Sequence, residues 1–62
     1  MPVSRETLIK RFESAAETWE RKGKRNWAYA KNGKGDFHYG IAKEAFKRAE
    51  RNRKKAEALK NE

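Results

Sequence analysis

The chain has no cysteine, one proline and one histidine among its 62 residues. Without cysteine there is no disulfide staple and no thiolate set for zinc. With a single histidine, a metal site would have to lean on carboxylates, so no metal or other cofactor is expected. No apolar run approaches the roughly 20 residues that span a bilayer. Met1-Pro2-Val3-Ser4-Arg5 also lacks the apolar centre of a secretory leader. These absences lead to the expectation of a soluble, cytoplasmic protein. Carboxylates are scarce as well, 9 against 17 Lys and Arg, for a formal net charge of +8.

What is present is a short chain with 35% hydrophobic and 42% charged residues. Chains of about 60 residues bury only about 60% of the surface their unfolded form exposes. One small domain with a marginal core is expected, and a partner would add to that core. The charge is unevenly placed. Residues 1–20 carry net −1, residues 21–48 net +7 and residues 49–62 net +2. Arg21, Lys22, Lys24, Arg25, Lys31 and Lys34 all precede the next acidic residue, Asp36. A field of this kind attracts polyanions or an acidic protein surface.

Ser4 followed by Glu6 reads as a helix N-terminus, with a capping hydroxyl and a carboxylate in the first turn. Leu8, Phe12, Ala15 or Ala16, Trp19, Gly23, Trp27 and Ala30 recur at spacings of three and four, the signature of one buried helical stripe. Glu17–Arg21 and Glu20–Lys24 are i,i+4 pairs that favour continuation through Gly23. Asn32-Gly33-Lys34-Gly35-Asp36 breaks the pattern and offers Asp36 as the next N-cap. Beyond it, Ala42, Ala45, Ala49, Asn52, Ala56 and Leu59 form a heptad-like seam of mostly small residues.

The pattern predicts an all-α, antiparallel two-helix hairpin in one domain, with helices over about 4–31 and 37–60 and a turn over 32–36. Folded about residues 34 and 35, the hairpin places Trp27 near Ala42, Gly23 near Phe46, Trp19 near Ala49 and Phe12 near Ala56. Each large residue then meets a small one, and Gly23 makes room for the Phe46 ring. Two alternatives stay open at this point. One is a three-helix variant broken at Gly23. The other is a β-hairpin turning at Asn32-Gly33 between Trp27, Tyr29 and Lys31 and Phe37, Tyr39 and Ile41. Tyr39-x-x-Ala42-x-x-x-Phe46-x-x-Ala49 resembles the second helix of a tetratricopeptide repeat, and the resemblance implies a packed helix pair.

Little in the chain suggests chemistry. Gly33-Lys34-Gly35 lacks the strand and the Lys-Ser/Thr ending of a phosphate-binding loop. His38 has no Ser, Cys or carboxylate partner nearby in sequence and reads as a boundary imidazole. Glu13, Glu17 and Glu20 each have a basic neighbour, and a hairpin this small offers no deep pocket to shift a carboxylate pKa. No enzyme and no small-molecule substrate are expected.

Binding remains, and two classes compete. For nucleic acid, Lys43, Lys47, Arg51 and Lys54 or Lys55 run down one helical stripe opposite Arg21, Lys22, Lys24 and Arg25. Affinity would then fall steeply with salt. Tyr29, Phe37 or Tyr39 would stack on unpaired bases if exposed. The second class is a protein interaction module docking on an acidic surface. Examples are blockers of the phage or mobile-element type, anti-CRISPR-like inhibitors among them. It includes a homodimer forming a four-helix bundle, in which Asn52 would be a polar mark in the seam. A membrane-surface role is disfavoured, because alanine inserts weakly into lipid.

Overall fold

In the computed structural model of the chain, which describes residues 3–62, Ser4 starts the first helix as its position suggests. Its backbone is extended, and its hydroxyl accepts a hydrogen bond from the Thr7 N–H at 3.2 Å. The helix α1 (Arg5–Lys31) then runs 27 residues without interruption. Gly23 lies inside it, so the three-helix variant broken at that residue does not form.

The end of α1 also decides against the β-hairpin. Gly33 takes φ +78, a left-handed conformation that glycine adopts without steric cost. Its N–H bonds the Ala30 carbonyl at 3.2 Å, and the Lys34 N–H bonds the Tyr29 carbonyl at 3.0 Å. These two bonds close a Schellman motif, which satisfies the last carbonyls of the helix. Asn-Gly suits a hairpin turn and a helix C-cap equally well. Here the helix that precedes it selects the cap.

The helix α2 (Phe37–Lys60) follows after five residues. Asp36 stands at its N-cap position, but its backbone is already helical and its side chain makes no capping bond. The first turn is instead closed by backbone bonds from His38 to Gly35 at 3.1 Å and from Tyr39 to Asp36 at 3.0 Å. These are tight 3₁₀-type bonds. The two helices pack side by side as an antiparallel hairpin measuring 46 × 19 × 13 Å.

The core between them is built of small residues. Ala16, Ala30, Ala42, Ala45, Ala49 and Ala56 are buried together with Gly23, and among the described residues no large side chain is fully buried. On α2 the buried positions are those of the alanine seam. Gly23 receives Phe46: a Cβ on that glycine would sit 2.6 Å from the ring Cε1.

On α1 the seam differs from the sequence reading at one step. From Gly23 it advances three residues to Asn26, rather than four to Trp27, before reaching Ala30. Alternating steps of three and four average 3.5 residues, and this period keeps a seam facing its partner helix. Trp27 is displaced to the flank, 39% exposed. It meets Tyr39 edge to face, with ring centroids 4.7 Å apart.

Asn26, 8% exposed, is held at both ends. Its Nδ2 donates to the Lys22 carbonyl at 2.9 Å, so its Oδ1 is the acceptor facing His38 Nδ1 at 2.7 Å. That assignment puts the proton of this bond on His38 Nδ1. His38 is thus a seam residue tying the helices together, one turn before Ala42. Asn52, by contrast, donates to the Arg48 carbonyl of its own helix at 2.8 Å.

Replacing Gly23 with Leu should destabilise the hairpin by about 1–3 kcal/mol through overpacking against Phe46. In urea denaturation this cost should shrink when Phe46→Ala has already opened the space, and equal costs in the two backgrounds would refute the contact. Asn26→Ala should cost about 1–3 kcal/mol, because it strands the half-buried His38 nitrogen. His38→Ala should cost less in the Asn26→Ala background than in the native chain if that bond is the source of the loss.

Candidate nucleic-acid interface

Two helices side by side leave two long faces, and the charges sort between them. On one face, Glu13, Ala16 and Glu17 of α1 and Arg53, Ala56, Glu57 and Lys60 of α2 line a common groove. Ion pairs close it: Lys60 Nζ lies 2.8 Å from Glu13 Oε2, and Arg53 Nη2 lies 2.6 Å from Glu20 Oε2. Glu20 therefore reaches across to α2 rather than along its own helix to Lys24. Glu13, first by its hydrogen bond and then by its charge, holds the Lys60 ammonium above its usual 10.5.

The other face is built around Trp19. Its half-buried ring carries the Lys22 ammonium 5.1 Å from the centroid and the Arg48 guanidinium at 4.7 Å. Lys55 lies 5.6 Å from the Phe12 ring centroid. Cations favour the negative face of an aromatic ring, and each contact of this kind contributes about 0.5–1 kcal/mol where exposed. Three adjoining grooves share these residues. Trp19, Lys22 and Arg48 border a central groove with Phe37, Gly40 and Ile41. Arg21, Lys22 and Arg25 line a second groove with Tyr29, and Arg48, Arg51 and Lys55 line a third with Trp19.

Together the linings hold six cations, Arg21, Lys22, Arg25, Arg48, Arg51 and Lys55, and one carboxylate, Glu44. Glu44 pairs with Arg48 at 3.7 Å, and both side chains are about half exposed. A pair this open and this long contributes little to stability. The face therefore keeps most of its positive field.

Of the eight residues singled out in the sequence, Arg21, Lys22, Arg25 and Arg51 meet on this face. Lys24, Lys43, Lys47 and Lys54 line none of the three grooves, and Lys54 pairs with Glu50 on its own helix at 3.4 Å. Arg48 was missed, Lys55 was named only as the alternative to Lys54, and Trp19 was read as a core residue alone. The sequence carries a signal for the first two: Ile41, Glu44, Arg48, Arg51 and Lys55 each stand one residue before a seam position, on one flank of α2. The stripe Lys43, Lys47, Arg51, Lys54 runs down the back of the helix for most of its length.

Tyr29 and Phe37 are 42% and 67% exposed. Both pack against His38, Phe37 stacked at 4.2 Å between centroids and Tyr29 edge-on at 5.3 Å. Tyr39 is half-buried beneath Trp27. Among the described residues no three His, Cys, Asp or Glu side chains are grouped to share a metal ion, and no helix is long and apolar enough to cross a membrane. Comparison with protein-family models, curated proteins and solved structures finds no match.

Because its folded-state pKa is raised, Lys60 adds stability that is fully present below about 10.5 and is lost as pH rises through the raised value. Glu13→Gln should return the Lys60 amine toward 10.5 in an NMR titration of its side-chain carbons. An unchanged midpoint would mean that the cross-helix pair does not persist in solution.

Proposed function

We propose that the protein is a non-enzymatic binding module that contacts nucleic acid, alone or within a nucleic-acid-processing complex, through the face around Trp19. The observation that carries this reading is the gathering of six cations against one carboxylate on adjoining grooves, while the cross-helix ion pairs lie on the opposite face. Like charges held together on one side of a marginal fold repel one another, and a bound polyanion relieves that repulsion. Lys22, Arg48 and Lys55 are seated on aromatic rings, so their charged heads are partly ordered before a ligand arrives. Such seating lowers the entropy lost on binding. Phosphate is the group these cations fit, and phosphate contacts position a nucleic acid without reading its sequence.

Two quadruple variants with equal charge change separate the face from the total charge. Lys22, Arg48, Arg51 and Lys55 are replaced by Gln in one, and Lys24, Lys43, Lys47 and Lys54 in the other. The first set should weaken binding strongly and flatten the salt dependence by about 0.9 per lost duplex phosphate contact, whereas the second should act weakly. Far-UV circular dichroism checks that both remain helical. Equal effects would reject the face in favour of diffuse charge. No binding by the native chain at about 50 mM salt would reject nucleic acid and turn the search to an acidic protein surface.

A further inference from the structure

One residue in the central groove has no role in the fold. Gly40 lies in the first turns of α2, where glycine costs a helix roughly 1 kcal/mol relative to alanine. Its φ is not positive, and a Cβ built on it would meet nothing within 4 Å. Gly23 and Gly35 differ in this respect, since a Cβ on either would strike the ring of Phe46 or Phe37 at 2.6 Å. Neither packing nor backbone conformation calls for glycine at position 40. Gly40 does lie in the lining of the groove that Trp19, Phe37 and Ile41 border.

That groove combines two chemistries. Its lining is largely apolar, with Phe37 67% and Ile41 37% exposed, and it also holds Lys22, Arg48 and the Glu44 carboxylate that pairs with Arg48. Phe37 is not a loose ring. It stacks on His38 at 4.2 Å with 30° between planes, and Gly35, at φ +132, leaves the space in which the ring edge sits. A fixed aromatic face beside a bare stretch of helix backbone suits a flat ring, and the cations suit an anion attached to it. Duplex nucleic acid offers phosphates but keeps its bases stacked inside, leaving such a groove unused. An unpaired strand presents both groups at once, and base–aromatic stacking is tolerant of sequence.

We propose that the ligand is a single strand, and that one of its bases lies in the groove over Gly40, against Phe37 and Ile41, with the flanking phosphates on Lys22 and Arg48. The proposal rests on the reading of this face as a nucleic-acid surface and adds which form of nucleic acid it takes.

The test uses the full chain, with fluorescence anisotropy on a labelled thymidine homopolymer and on a duplex of the same length, at about 50 mM salt. Gly40→Leu adds a bulky side chain to the groove's lining while improving helix propensity, so loss of fold does not confound it. Phe37→Ala removes the stacking face by a separate route. The expected result is single-strand binding by the native chain, lowered about tenfold or more by each substitution, with duplex affinity unchanged. Undiminished single-strand affinity in Gly40→Leu, or an equal loss on duplex, would overturn the base site. Native binding to duplex alone would overturn it too while leaving the polyanion reading intact. Binding to neither form would overturn both.

Discussion

The helices lie close together because the residues between them are almost all alanine and glycine. A seam of Ala16, Gly23 and Ala30 against Ala42, Ala45, Ala49 and Ala56 brings the backbones together and leaves no room for an indole or a phenyl ring. The Phe46 ring enters where α1 has no side chain at all. Burial per residue is modest in such a core, and contacts between closely packed atoms carry much of the cohesion. The placement of the larger side chains follows from this constraint. Tyr29, Phe37 and Ile41 are left exposed, and Phe12 and Trp19 are only half-buried.

The functional face is the surface form of that displacement. A ring set beside the seam offers one side to the partner helix and the other to whatever approaches from outside. On the Trp19 side, long cationic side chains lie over the rings, burying their stems while keeping their charges in water. On the other side, carboxylates and cations pair across the helices. The hairpin thus divides its charge between a face where it is paired across the helices and a face left positive.

The fold was legible because several local signals agreed. Ser4 and Glu6 mark the start of α1, Asn32-Gly33 marks its end, and the alanines of α2 step by three and four in one phase. The site was less legible, and the reason is angular. Each residue turns a helix by about 100°. Choosing Trp27 over Asn26 for the seam therefore moved the expected contacts on that part of α1 from one flank to the centre. Polarity favoured the tryptophan, but buried asparagine is tolerated when both ends of its amide are bonded, and the partner, His38, stands 12 residues away in sequence. The same angular sensitivity separated Lys43 and Lys47 from Arg48 and Lys55. Gly40 gave no sequence signal, because a lone helical glycine has meaning only when its surroundings are known.

An interface made of repeated alanines has a hidden weakness. Seen along its length it is nearly the same every seven residues, so one helix could slide past the other by a heptad and find almost equivalent contacts. Two features remove that degeneracy. A slip would carry the Phe46 ring from Gly23 to Ala16 or Ala30, where a Cβ stands in its way, and would part Asn26 from His38 and leave two polar groups without partners. The chain has one native alignment rather than a ladder of near-equal ones because a missing side chain and a single hydrogen bond both mark the same place along the hairpin.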